Sequence, residues 1–253
     1  MTPVVGCDTD TAASWRDKQQ RYWDGISDRY DQFYAGRWSR RENSWVEERL
    51  SAFLGVVPAP SVLDLGCGTG LGLKMVQNLN PYARYVGVDV SPQMLATLDV
   101  DGADELYEAS MDDLHFLDDK SFNVVLSLFS SISYACDTAG VFREVSRLLA
   151  PEGYAYLSVL SERALSRARS RDRRDFYRTR GDDRPENVPV RLHTVEGVRQ
   201  LCAAAHLKVE WMTGMNLFSG VVEWPWLWRP GRWGAERFPD RAHTIELLVR
   251  KEA

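Results

Sequence analysis

The residues whose spacing carries most chemistry are Asp64, Gly66, Gly68 and Gly70, within Val62-Leu63-Asp64-Leu65-Gly66-Cys67-Gly68-Thr69-Gly70. A short apolar run passes into a glycine-dense turn, and an apolar pattern of helical period follows. Glycines suit a turn that must pass close to a ligand without Cβ atoms in the way. A strand–turn–helix of this kind presents backbone N–H groups and a helix N-terminus to a polar, nucleotide-like molecule. The register separates two kinds of cradle. A dinucleotide fingerprint reads G-x-G-x-x-G, but here the sixth position is Leu71 counted from Gly66 and Leu73 counted from Gly68. What stands is G-x-G-x-G, with Asp64 two residues ahead of it. A second acid, Asp89, closes Tyr85-Val86-Gly87-Val88-Asp89. Its two acceptor oxygens match the paired hydroxyls of a ribose.

Positioning these groups requires strands that end where they stand. Candidate strands lie at 62–65, 85–89, 105–108, 122–128, 154–160, 208–212 and 244–250, with helical patterns at 71–79, 92–98, 138–149 and 194–205. Ser91-Pro92 is a helix start, with a Ser cap and Pro at the first helical position. Strands alternating with helices predict an α/β, Rossmann-like doubly wound sheet. Ligands of such sheets bind beyond the carboxyl ends of the strands, at the switch point. Residues 1–60 read as helices. Trp15, Tyr22, Ile26, Tyr30 and Phe33 form one apolar stripe, and Trp45, Val46, Leu50, Phe53 and Leu54 a second after the basic stretch 37–41.

Together these signals resemble the class I S-adenosylmethionine-dependent methyltransferases, over residues 20 to 160 or so. The resemblance rests on the glycine turn with Asp64, on residues 85–95 (YVGVDVSPQML), on Ser121-Phe122-Asn123-Val124-Val125, and on Leu148-Leu149-Ala150-Pro151-Glu152-Gly153. Residues 22–31 (YWDGISDRYD) are similar to the family's lid helix. The resemblance implies a seven-stranded sheet with the last strand antiparallel. The expected domains are a helical lid at 1–60 and a core at 61–253; 161–191 and 213–242 break the strand–helix alternation and, lying where the resemblance fades, read as substrate insertions. The resemblance implies S-adenosyl-L-methionine as cofactor and S-adenosyl-L-homocysteine as its product. At matching positions, Gly66, Cys67, Gly68 and Gly70 would pass beneath the methionine portion and ribose. Asp64 would hold the amino end or order the turn, and Asp89 would take the ribose hydroxyls. Val90 and Met94 would flank the adenine. The family's G-D-A-like segment aligns with Ala109-Ser110-Met111, so Ser110 replaces the usual aspartate. Asp112, beside Met111, stands as the alternative acceptor for the adenine amino group, or as a solvated loop charge next to Asp113. Tyr30 would reach the cofactor carboxylate from the lid, and Tyr22 and Phe129 complete the cofactor set.

Methyl transfer from a sulfonium is an in-line displacement with an activated leaving group, so the protein chiefly aligns the reactants. Alignment of this kind lowers a barrier by roughly 7–11 kcal/mol. An amine acceptor needs only to be neutral, whereas a hydroxyl wants a positioned base. The segment Phe129-Ser130-Ser131-Ile132-Ser133-Tyr134 stands where the family faces the methyl group, and it resembles small-molecule N- and O-methyltransferases. It lacks the N/D-P-P-Y/F motif of nucleobase and glutamine methylation. Tyr134 either positions a nucleophile or packs. His193, ahead of a helix, is the candidate base, while His115 reads as structural and His206 and His243 receive no role.

Four of the nine tryptophans lie in 15–45 and five in 211–233, so two aromatic segments flank the sheet region. They close over the methyl group as a lid for an aromatic or amphipathic metabolite, or they form a second small core or a dimer face. On the lid reading Tyr34, Ser133, Trp224, Trp226 and Trp228 bind substrate. Residues 161–191 hold ten arginines and six acids. They read as a solvated surface, or as the contact of an RNA or protein methyltransferase.

At 253 residues with 44% apolar content, one substantial core is expected. A net charge of −5 argues against general nucleic-acid binding. No apolar run spans a bilayer, and the N-terminus does not resemble a signal peptide, so the cytoplasm is the expected location. The widely spaced Cys7, Cys67, Cys136 and Cys202 read as reduced thiols, with no metal site. The expected partner is a small-molecule substrate, with no nucleic acid and no membrane, and the Trp-Pro-Trp-Leu-Trp segment leaves room for a homodimer. A non-catalytic scaffold that merely keeps the fold is a third reading, but it would need neither the intact glycine turn nor Asp89.

Overall fold

All seven candidate strands enter one sheet. A computed structural model of the chain describes residues 9–98, 102–169, 176–177 and 188–251. The strands are β1 (Ser61–Leu65), β2 (Arg84–Asp89), β3 (Glu105–Glu108), β4 (Phe122–Ser127), β5 (Leu149–Leu160), the short β6 (Phe176–Tyr177) and β7 (Val188–Pro189), β8 (Leu207–Gly214) and β9 (Thr244–Lys251). The sheet order is β3-β2-β1-β4-β5-β9-β8, and β6 pairs only with β7. β1 to β5 run parallel, whereas β9 is antiparallel to both β5 and β8. The expected mixed sheet with an antiparallel last strand is therefore present. β5 begins earlier than its apolar run, because Leu149 already pairs with Phe122 before an irregularity in the ladder.

The helices are α1 (Thr9–Asp24), α2 (Tyr30–Phe33), α3 (Arg37–Leu54), α4 (Leu71–Leu79), α5 (Pro92–Thr97), α6 (Thr138–Leu148), α7 (Val195–Ala204) and α8 (Trp228–Arg237). Alternate strand residues feed opposite layers, as period two requires. Leu63, Leu65, Val86 and Val125 pack with α6 and α7 residues such as Phe142 and Val198. Val62, Tyr85, Val124 and Leu126 pack with Trp45, Leu50 and Leu73 on the other face. Burial on both faces explains why these strands are apolar throughout rather than alternating. A third cluster joins Tyr22 and Ile26 to Met94, Leu160 and Val188, seating the N-terminal helices over the sheet edge.

The first stripe of the sequence is not one helix. It breaks after α1 and resumes through a single turn at Ser27–Arg29 into α2. The basic stretch opens α3 rather than preceding it. The thiols also need correction: Cys67 and Cys202 are free, but Cys136 is disulfide-bonded. Distance along the chain does not keep a cysteine from a partner in space. Cys7 lies outside the described residues, as do 170–175 and 178–187 of the arginine-rich stretch.

Candidate functional site

The switch point falls between β1 and β4, where the strand order reverses, and the glycine turn leaves β1 there. The N–H groups of Gly66 and Cys67 donate to the Val88 carbonyl at 2.7 and 3.1 Å, which clamps the turn to β2. Gly66 has φ +75°, and a Cβ there would lie 2.6 Å from the Ser131 Cβ. Gly68, at φ +53°, has no atom within 4 Å of the place a Cβ would take, so the turn opens onto free space. Asp89 holds the same turn from β2. Its Oδ2 accepts from the Gly68 N–H at 2.8 Å and its Oδ1 from the Ser91 N–H at 2.9 Å. Burial pushes its pKa up to about 6 against those bonds. Asp64 is more deeply set. Its Oδ2 accepts from the Tyr85 hydroxyl at 2.6 Å, its Oδ1 is buried without a partner, and burial pushes its pKa up to about 7.

This turn lines one end of a cavity of about 800 Å³, within the range of roughly 300–1,000 Å³ expected of ligand sites. The N-terminal helices roof it. Asp31 accepts from the Thr69 hydroxyl at 2.6 Å. Asp24 accepts from the Ser91 hydroxyl at 2.6 Å and the Gln93 N–H at 3.2 Å. The Trp23 ring meets Tyr30 and Tyr134 edge-on at 6.0 and 5.0 Å, and Tyr30 lies 5.0 Å from Tyr34.

Residues 63–157 match the family model described as a methyltransferase domain. The fold is shared with solved S-adenosylmethionine-dependent methyltransferases. Malonyl-[acyl-carrier protein] O-methyltransferase of Marinomonas sp. is 31% identical over 162 residues, which cover 60% of this chain and 55% of that protein. The chain spans about half the length of the curated relatives it matches. Among solved structures, the partner of the Haloferax volcanii Trm112 methyltransferase activator superposes with a TM-score of 0.64 at 19% identity, over 94% of this chain and 97% of that one. An S-adenosylmethionine-dependent methyltransferase of Mesorhizobium loti gives 0.58 at 22% identity, over 83% and 98%. The cofactor of the family is S-adenosyl-L-methionine. No helix among the described residues is long and apolar enough to cross a membrane, and among those residues no group of three or more His, Cys, Asp or Glu is placed to hold a metal ion.

The cavity collects Tyr30, Tyr34, Asp64, Gly66, Cys67, Gly68, Asp89, Val90, Met94, Met111, Asp112, Phe129 and Tyr134 from the sequence-derived set. Gly70 and Tyr22 do not line it. Gly70 starts α4 behind the turn at φ +87°, and Tyr22 is buried against Trp23, the two rings edge-on. Ser133 is fully buried, and its hydroxyl accepts from the Leu160 N–H at 2.7 Å. Both Asp112 oxygens are engaged, one by the Ser110 hydroxyl and one by the Asp137 N–H at 3.1 Å.

The tryptophans divide. Trp15 and Trp23 line the cavity, whereas Trp226 and Trp228 line a separate shallow pocket with Trp45, Arg41 and Arg232, and Trp224 lines neither. Trp224 and Trp226 are 58% and 67% exposed. Their segment reaches the cavity instead through Ser219, Gly220 and Glu223. Three of the described arginines of 161–191 are engaged within the protein: Arg163 with Asp240, Arg167 with the Ser161 carbonyl, and Arg191 with the Trp15 ring and the Cys136 carbonyl.

His193 is not at the cavity. The residue is half-buried, its Nε2 is enclosed without a partner, and burial holds its pKa down at about 4. Removing a general base costs about 10²–10⁴-fold in rate; His193→Gln is expected to cost less than about threefold, read as turnover on any accepted substrate. Sequence reasoning missed Glu42, Glu246 and His243, all of which line the cavity. Nothing in their local sequence marks them, because α3, β9 and the residue just before β9 supply one each.

Proposed function

We propose that the protein transfers a methyl group from S-adenosylmethionine to a nitrogen or oxygen of a small, aromatic or amphipathic metabolite. The observation carrying this reading is the open cradle at Gly68 beside the unpartnered, buried Asp64 Oδ1, with Asp89 across the turn. A molecule bearing an ammonium and a ribose would complete both carboxylates, so these residues fit the cofactor. When bound, the cofactor supplies a methyl group on a sulfonium. Asp64 takes the amino group and Asp89 the ribose hydroxyls. Val90, Met94 and Met111 bound the adenine, Gly66 and Cys67 run beneath the ligand, and Tyr30 meets the carboxylate. Phe129, Tyr34 and Tyr134 form the wall facing the acceptor, and Trp15 and Trp23 exclude water from above. Residues 1–60 act as lid over a core of 61–253, working in the cytoplasm as a monomer or homodimer.

Calorimetry with S-adenosylhomocysteine tests the cofactor assignment. Transfer of label from methyl-labelled cofactor into a small-molecule extract, rather than into total RNA or protein, tests the acceptor class; label in RNA or protein would overturn it.

Two opposite pH trends are expected. Asp64 and Asp89 have folded pKa values of about 7 and about 6, above their ordinary 3.8. The free protein therefore binds more protons folded than unfolded between about pH 4 and 7. These two groups favour the fold most at the acid end, and that contribution is lost as the pH rises through 7. Cofactor binding needs the same carboxylates charged, so affinity is expected to fall below pH 7, approaching about tenfold per pH unit for each group. Thermal melts of the free protein and calorimetric titrations from pH 5 to 8 would read the two trends separately.

A further inference from the structure

The cavity does not end at the glycine turn. Three strands away, at about 4.8 Å per strand, it is bounded by Glu246 on β9, Glu42 on α3 and Glu223 on the segment after β8. Two of these carboxylates are built differently. Glu246 is satisfied: its oxygens accept from the Tyr156 hydroxyl at 2.6 Å and the Trp45 indole N–H at 3.2 Å, and Arg49 and Arg232 bear on it electrostatically while stacking on Trp45. Glu42 is not. Both of its bonds, from the Trp38 indole N–H at 3.1 Å and the Ser219 hydroxyl, go to Oε1. Among the described residues no hydrogen bond reaches Oε2 and no cation pairs with the group. Arg40, its cationic neighbour on the cavity wall, donates to the Ala35 carbonyl instead.

We infer that this end of the cavity is the subsite for a basic amine on the acceptor, with the Glu42 Oε2 as its partner. The inference deepens the proposed function and rests on it. A cation is what the geometry lacks. One oxygen of Glu42 is pinned by two donors, the other takes none, and the residue lines the cavity, where Glu223 and Glu246 add negative potential. Burial first, and then these two acids, push the Glu42 pKa up to about 7 against the Ser219 and Trp38 bonds, as expected of a carboxylate without its counter-ion. The same potential disfavours a carboxylate-bearing acceptor.

The test uses the full chain saturated with S-adenosylhomocysteine and three probes of one shape: benzylamine, benzyl alcohol and benzoate. Benzylamine is expected to bind tighter than both others by about tenfold or more, as a desolvated charge pair would give. Glu42→Gln is expected to lower benzylamine affinity by about tenfold while leaving benzyl alcohol and S-adenosylhomocysteine within about twofold. Failure of S-adenosylhomocysteine to bind overturns the methyltransferase reading itself. If it binds, undetectable benzylamine, benzoate preferred, or unchanged benzylamine affinity in the variant overturns the amine subsite alone. The comparison of the three probes on the unaltered protein stands even if the variant does not fold.

Discussion

Asp89→Ala is expected to remove S-adenosylhomocysteine binding almost entirely while leaving a folded protein. The Asp89 carboxylate accepts the Gly68 and Ser91 N–H groups and so fixes both the turn and the start of α5. Each oxygen keeps a second lone pair, which the proposed function assigns to a ribose hydroxyl. Hydrogen bonds to a charged group are worth about 1.5–3 kcal/mol each. Loss of two toward the ligand corresponds to a fall of about 10²–10⁴-fold in affinity. Asp89→Asn, which keeps one acceptor oxygen, should fall between. Calorimetry reads the effect, and a dissociation constant within about tenfold of the parent for Asp89→Ala would contradict the role given to this residue.

Gly66→Ala should be the most destabilising single change in the turn. A side chain at φ +75° is strained, at a cost of about 1–3 kcal/mol. The new Cβ would also lie 2.6 Å from the Ser131 Cβ and 2.8 Å from its Oγ. Relief requires moving the first turn after β4, for about another 1–3 kcal/mol. The sum, about 2–6 kcal/mol, lowers the melting midpoint by roughly 4–24 °C in a domain of this size. Gly68→Ala is the control. It carries strain at φ +53° but meets no atom, so its stability loss should be near 1 kcal/mol, with the damage appearing in cofactor affinity. Equal melting points for the two variants would sink the steric argument.

The central strands were legible because they are buried on both faces, and the apolar runs of β1, β2 and β4 have nowhere else to go. The glycine-turn end of the cavity was legible for a related reason. Asp64, the glycines and Asp89 lie within one strand–turn–helix–strand unit, where spacing in sequence is spacing in space. The opposite end of the cavity was not. Ser219 bonds Glu42 from 177 positions away, and Trp45 bonds Glu246 from 201 positions away. Local pattern cannot show such pairs. The tryptophans of 224–228 illustrate the limit in another way: composition marks an aromatic segment, but whether it faces the cavity depends on how the turn at Pro225–Leu227 sets α8. His193 was attractive as a histidine ahead of a helix, yet its own backbone bridges to Ser161 at the end of β5 and its Nε2 is enclosed away from the cavity.

The same long spans bear on how the chain is made. The Trp15 indole N–H donates to the Tyr134 carbonyl and the Gln19 amide to the Pro189 carbonyl, separations of 119 and 170 residues. Arg41 reaches the Pro225 carbonyl from 184 positions away. Synthesis proceeds from the N-terminus at about 5–20 residues per second, so α1 waits on the order of ten seconds for Pro189 to exist. The roof of the cavity is made before the residues it bonds to. Until then its apolar stripe has only the nascent chain and chaperones for company, which makes these early residues the ones most exposed to misassembly.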